Sequence, residues 1–202
     1  MRALPARTGP PLAVVSVCAA ITLVVLALVF AGTSTAAEFG IPVEHRPLAT
    51  PWAQLALIVD WTSEPVGAAV VLTTLVIMFL RKGNRRAALH AVCATAATVA
   101  VTTGMKPLVG RTINDGFLSF PSGHTATATA FALVATLWAG RLWLTAVVTV
   151  LAAAAMAWAQ VLLNAHYPTD TIGGFCAALA VVPAVAWAID RVAARRTGGT
   201  PA

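Results

Sequence analysis

Charge is what this 202-residue chain has least of. Asp, Glu, Lys and Arg make up only 10% of it, 59% is apolar, and the mean hydropathy is +0.84. A soluble domain carries about 25% charged residues. So few cannot cover a water-facing surface, and a lipid bilayer is the solvent this composition fits. Cysteine is scarce too. Cys18, Cys93 and Cys176 each lie inside an apolar run, at spacings that suit neither a disulfide framework nor a zinc site, and they read as small buried apolar residues. The net charge of +6 does not mark a nucleic-acid partner, because the basic residues fall in short clusters between apolar runs and form no single patch. No internal repeat and no low-complexity linker divides the chain, so residues 1–202 read as one domain, with a disordered tail over 197–202.

Long hydrophobic runs are abundant. About 20 mostly apolar residues cross a bilayer as a helix, and by that measure the sequence offers six candidate spans: Leu12–Ala31, Val66–Leu80, Ala87–Gly104, Ser122–Ala139, Leu142–Leu163 and Thr171–Ile189. The second is short and is expected to start earlier, within Pro51–Glu64. Gly32–Thr50, with Gly40, Pro42 and Pro47, reads as an exterior loop. The expected fold is an all-α integral membrane bundle of about six transmembrane helices. The first apolar run, about 19 residues long, exceeds a signal-peptide core of 7–15 and is read as a retained span.

Orientation follows from Lys and Arg. With the N-terminus inside, ten of the 13 lie on the cytoplasmic side, while Arg46, Lys106 and Arg111 lie outside. Both termini are therefore expected in the cytoplasm of a multi-pass plasma-membrane protein. Trp138, Trp143 and Trp187 near the inner face, and Trp52 and Trp61 near the outer, suit interfacial rings.

Two outer loops then hold nearly all the polar side chains capable of chemistry. One runs from Lys106 through Gly110-Arg111 to Phe120-Pro-Ser-Gly-His124, the other from Asn164 through His166 to Asp170. Pro121-Ser-Gly-His124 is expected to open a helix, where free backbone N–H groups and the helix dipole favour an anion. Ser122 suits the N-cap there, Gly123 lets the backbone approach closely, and His124 stands where it can donate a proton to a leaving oxygen. Pro168 suits a first helical turn, which lets Asp170 reach back to His166, fix its tautomer and leave the other ring nitrogen free to attack. Taken singly, each pattern is equally a local capping contact. Two histidines and one aspartate make a poor metal site. His90 and Asp60, the polar residues closest to a span interior, are read as interfacial.

Together these residues resemble the type-2 phosphatidic acid phosphatase superfamily, which includes lipid phosphate phosphatases and vanadium haloperoxidases. Its three motifs are Lys, six residues, Arg-Pro; then Pro-Ser-Gly-His; then Ser-Arg, five residues, His, three residues, Asp. Lys106 opens the first, Pro121–His124 form the second intact, and His166 with Asp170 close the third. Thr171-Ile-Gly-Gly174 also looks like the family's continuation, and the likeness covers about residues 60–190. The resemblance implies a metal-free, cofactor-free reaction on a lipid phosphate at the extracytoplasmic face. His166 attacks phosphorus, Asp170 orients it, and His124 protonates the leaving group and then activates water. Lys106 and Ser122, with amides near Gly123, bind the phosphoryl oxygens.

Two arginines of that pattern are missing. Their motif positions fall on Ile113-Asn114 and Ala159-Gln160. Two hydrogen bonds to a charged group are worth about 3–6 kcal/mol, on the order of a hundred- to ten-thousand-fold in affinity. Arg111 is expected to compensate through a small loop shift, and Gln160 to donate a neutral hydrogen bond. The alternatives are a relative that holds a phospholipid or prenyl phosphate without turnover, and a small transporter, which the lack of midplane charges disfavours. Alanine, valine and arginine abundance points to a high-GC bacterial source. The lipid tail and the oligomeric state are not legible.

Overall fold

The computed structural model describes residues 9–42, 50–114 and 116–196. Within them the order is α1 (Gly9–Val29), β1 (Ala37–Glu38), β2 (Ile41–Pro42), α2 (Pro51–Trp61), α3 (Pro65–Arg81), α4 (Arg85–Val109), β3 (Thr112–Ile113), β4 (Phe117–Leu118), α5 (Gly123–Leu137), α6 (Leu142–Leu162) and α7 (Pro168–Arg196). The expected all-α bundle is present. Two antiparallel two-residue hairpins, β1–β2 and β3–β4, lie in the loops. Part of the expected exterior loop, and the tail from residue 197, lie outside the described residues.

Four helices, α1, α4, α6 and α7, are long and apolar enough to cross a membrane, and α2 with α3 makes a fifth when counted as one bent span. The second span does start early, but it is broken by 56°. Pro65 forces the break: Glu64 before it is extended, at φ −65° and ψ 154°. Gly67 lets the first turn of α3 sit on the end of α2, since a Cβ there would lie 1.8 Å from the Trp61 carbonyl oxygen. The expected span Ser122–Ala139 becomes α5, whose 15 residues reach about 22 Å, short of a bilayer core of about 30 Å. It can be short because it packs against α4, α6 and α7 and hides most of its side chains among them.

Small residues make that packing close. Ala87, Ala88, Ala91 and Ala94 of α4 meet Ala130, Leu133 and Val134 of α5 and Ala178 of α7 in one cluster, the kind of interface membrane helices use where lipid supplies no hydrophobic drive. Thr98 and Thr129 satisfy their hydroxyls on the carbonyls of Ala94 and Thr125, one turn back. His90, expected at an interface, is instead fully buried. Its Nδ1 accepts from Trp138 Nε1 at 3.1 Å, which leaves Nε2–H to donate to the Val182 carbonyl at 2.9 Å. Both ring nitrogens are satisfied, so His90 is a core residue. The three cysteines are free.

Candidate active site

The site is assembled at one end of the bundle, where α5 and α7 begin and α4 and α6 end. Ser122 caps α5, its Oγ accepting from Thr125 N at 3.3 Å, and its own N–H donates to the Asp170 carbonyl at 2.9 Å. That bond ties the start of α5 to the first turn of α7. Gly174 permits the approach: a Cβ there would stand 2.3 Å from the Ser122 carbonyl oxygen. Gly123 is different. A Cβ on it would meet only Thr102 Oγ1, at 3.9 Å, so protein packing does not demand glycine at the helix opening.

His166 lies between α6 and α7, nearly buried. Its Nδ1 faces Asp170 Oδ2 at 3.6 Å, slightly beyond hydrogen-bond length, and has no closer partner. Asp170 is held firmly: Oδ2 accepts from Tyr167 N at 3.0 Å and Oδ1 from Arg111 Nη1 at 2.7 Å. Burial pushes the His166 imidazole below its ordinary pKa. Asp170 opposes that shift, and the charges of Lys106 and His124 add to it. The structure thus brings Lys106, His124, His166 and Asp170 within electrostatic reach of one another.

Arg111 corrects the sequence-based expectation. It is fully buried, and its guanidinium lies between the rings of Phe30 and Tyr167, 4.1 and 4.2 Å from their centroids. Nη1 donates to Thr169 Oγ1 and Asp170 Oδ1, and Nη2 donates to Glu38 Oε1 at 2.9 Å. Arg111 therefore stands behind Asp170, with both terminal nitrogens bonded to protein oxygens. Glu38, which sequence reading missed, also accepts from Thr169 N at 2.9 Å, placing a carboxylate on the α7 N-terminus, where the helix dipole favours it. Tyr167 Oη, bonded to Thr35 and Thr112, fastens the segment after α1 over the same turn. Nothing in the spacing of Glu38 marked it, because it enters through a hairpin.

Gln160 is corrected likewise. It is fully buried, and its Nε2 donates to Asp60 Oδ1, so the neutral donor expected for phosphate is already committed. Asp60 and Glu64, on either side of the α2–α3 break, converge on His124 Nε2 at 3.6 and 3.3 Å. Asp60 thus faces the site, which its place in the sequence did not reveal. The position expected for the other missing arginine is Ile113, a buried residue of β3, and its neighbour Asn114 holds the loops. Asn114 Nδ2 donates to the Asn164 carbonyl at 2.6 Å, and Asn164 Nδ2 donates to Asn114 Oδ1 at 3.0 Å, so the two active-site loops are clamped together. Ser122 is fully buried, its Oγ accepting in the cap.

No curated protein and no solved structure matches the chain. Residues 16–193, most of its length, match the PAP2 superfamily, a membership that supports a phosphatase-type function in general. With apolar helices fit to span a membrane and a match over residues 16–193, the chain belongs to the PAP2 superfamily.

Proposed function

We propose that this protein is a lipid phosphate phosphatase, which hydrolyses a phosphate monoester or diphosphate of a membrane lipid at the extracytoplasmic face through a phosphohistidine. The observation that carries the reading is the relay Arg111–Asp170–His166: a buried imidazole with a fixed carboxylate at Nδ1. Asp170 accepts a hydrogen bond from Nδ1–H and stabilises the charge that develops on the ring, and Nε2 attacks phosphorus as the leaving oxygen takes a proton from His124. In the second step His124 removes a proton from water, which displaces the phosphoryl group from His166. Lys106 and the backbone amides at the start of α5 hold the phosphoryl oxygens. A nucleophile and carboxylate 3.6 Å apart without substrate need close by only about half an ångström to reach hydrogen-bond length.

Exposed apolar side chains near the site, Leu108, Phe117 and Ile172, give an acyl or prenyl tail a place in the bilayer while the headgroup reaches the loops. The ten-against-three split of Lys and Arg supports the outward placement. A second reading, retention of a phospholipid or prenyl phosphate without turnover, is favoured by one observation: both Arg111 and Gln160 are engaged by protein carboxylates.

Purified protein in detergent, with metals chelated, is assayed for phosphate release from a panel of lipid mono- and diphosphates beside His166→Ala. Release that the variant abolishes, with an acid-labile phosphoenzyme in the parent, is the expected result. A folded protein that binds these lipids and releases no phosphate from any of them overturns turnover in favour of retention.

A further inference from the structure

Asp60 lies in the last turn of α2, Glu64 stands just before α3, and His124 lies in the first turn of α5. The 56° break turns both carboxylates onto one imidazole: Glu64 Oε1 lies 3.3 Å and Asp60 Oδ1 3.6 Å from His124 Nε2. Asp60 is fixed from α6, because the buried Gln160 donates its Nε2–H to the same oxygen. Glu64 occupies the N-cap of α3, yet its side chain makes no capping bond, so the carboxylate is turned from its own helix to the histidine. Among the described residues neither acid pairs with a lysine or an arginine.

Positive charge at this end of the bundle lies on the other side of the site. Arg111 is fully buried against Glu38 and Asp170, and the Lys106 charge acts on Asp170 and His166. The site is therefore polarised, with cations beside the proposed nucleophile and carboxylates beside the proposed acid.

A monoester and a diphosphate place different groups on the His124 side. As His166 Nε2 bonds to phosphorus, the P–O bond to the leaving group breaks. Its electron pair stays on the leaving oxygen, which takes the proton from His124. From a monoester the product is a neutral alcohol. From a diphosphate attacked at its terminal phosphorus it is a lipid monophosphate, anionic before and after it departs. A leaving oxygen about 3 Å from the imidazole lies within roughly 9 Å of both carboxylates, whichever ring nitrogen carries the proton. Like charges that close repel in a partly desolvated site, whereas a neutral leaving group is indifferent to them. On the proposed reaction, in which His124 faces the leaving oxygen, we infer that Asp60 and Glu64 repel an anionic leaving group and so select lipid phosphate monoesters over diphosphates. Repelling the wrong ligand discriminates as well as holding the right one.

Farnesyl phosphate and farnesyl diphosphate share one tail, so comparing them isolates the headgroup. Initial rates of phosphate release by the purified full-length protein in detergent, with metals chelated, should give kcat/KM about ten-fold higher for the monophosphate. Asp60→Asn and Glu64→Gln each remove one negative charge, and each should raise kcat/KM for the diphosphate about three-fold. A lipid monophosphate needs a proton less than an alkoxide does, so loosening of His124 does not mask that gain. The substitutions lie on either side of the break, so one misfolded variant leaves the other to decide. A parent that cleaves the diphosphate as well as the monophosphate overturns the selection. So does a ratio that the variants leave unchanged, or narrow only by losing monophosphate release. Failure of the phosphatase reading looks different, because the folded parent then cleaves neither lipid. Calorimetric affinities for the two lipids decide in that case: tighter binding of the monophosphate, lost in the variants, sustains the selection, and equal affinity in the parent overturns it.

Discussion

Asp170 divides its carboxylate between Arg111 and His166: Oδ1 lies 2.7 Å from the guanidinium and Oδ2 lies 3.6 Å from the imidazole Nδ1. In the proposed reaction the arginine would position the carboxylate that orients His166, without itself binding phosphate. Both partners of the Arg111–Asp170 pair are fully buried. Truncating one partner of such a pair leaves an uncompensated charge and costs about 3–5 kcal/mol. Arg111→Met should lower the Tm in detergent accordingly and reduce kcat more than it raises KM. A variant that keeps its stability and loses only affinity would instead make Arg111 a phosphate ligand.

His166 gives the pH dependence its sign. Burial, first, and the charges of Lys106 and His124 hold it below the ordinary histidine value of about 6.5, against the pull of Asp170. In the proposed reaction the neutral ring attacks phosphorus, and it persists above the lowered pKa, so the acid limb of kcat/KM should fall below about pH 6.5. Lys106→Met removes a positive charge that disfavours the protonated ring. The limb should therefore move to higher pH, whatever happens to KM. A limb that stays put or moves lower would mean Lys106 does not act on His166.

Two glycines should behave oppositely. Gly174→Ala drives a Cβ to 2.3 Å from the Ser122 carbonyl oxygen, where backbone must yield. Overpacking of this kind costs about 1–3 kcal/mol, and thermal unfolding should record it together with lost activity. Gly123→Ala meets nothing closer than Thr102 Oγ1 at 3.9 Å and should fold normally. If phosphate sits on the amides at the start of α5, its KM should rise several-fold. An unchanged KM would move the phosphate elsewhere.

The Asn114–Asn164 pair holds the two active-site loops with reciprocal bonds, and both residues have positive φ, 42° and 57°. Asn164→Ala loses its side-chain bond and puts a residue less tolerant than Asn in a left-handed conformation, together about 2 kcal/mol. Asn164→Gly loses the bond alone. The alanine variant should therefore melt lower than the glycine variant. Equal Tm values would show that the backbone there relaxes freely.

How much was legible depended on whether a residue's role was local. His166 and Asp170 lie one turn apart, and Ser122 precedes its own helix, so spacing alone placed them. Arg111 was visible as a charge, but its direction was not: Phe30, Glu38 and Tyr167, which take its guanidinium, come from distant parts of the chain. Asp60 looked like an interfacial acid because nothing in its own segment announces that Pro65 turns the span toward His124. His90 looked interfacial for a similar reason, since Trp138 and the Val182 carbonyl reach it from other helices.

By itself the sequence determined the solvent, the helical class, the family and the two histidines, because hydropathy and short motifs are properties of neighbouring residues and survive in any packing. Only the tertiary structure decided that the central helix is too short to span, that the one arginine near the motifs braces Asp170, and that two carboxylates meet the second histidine. Each of these depends on which helix ends come together, and buried charges settle on whichever partners that assembly leaves within reach.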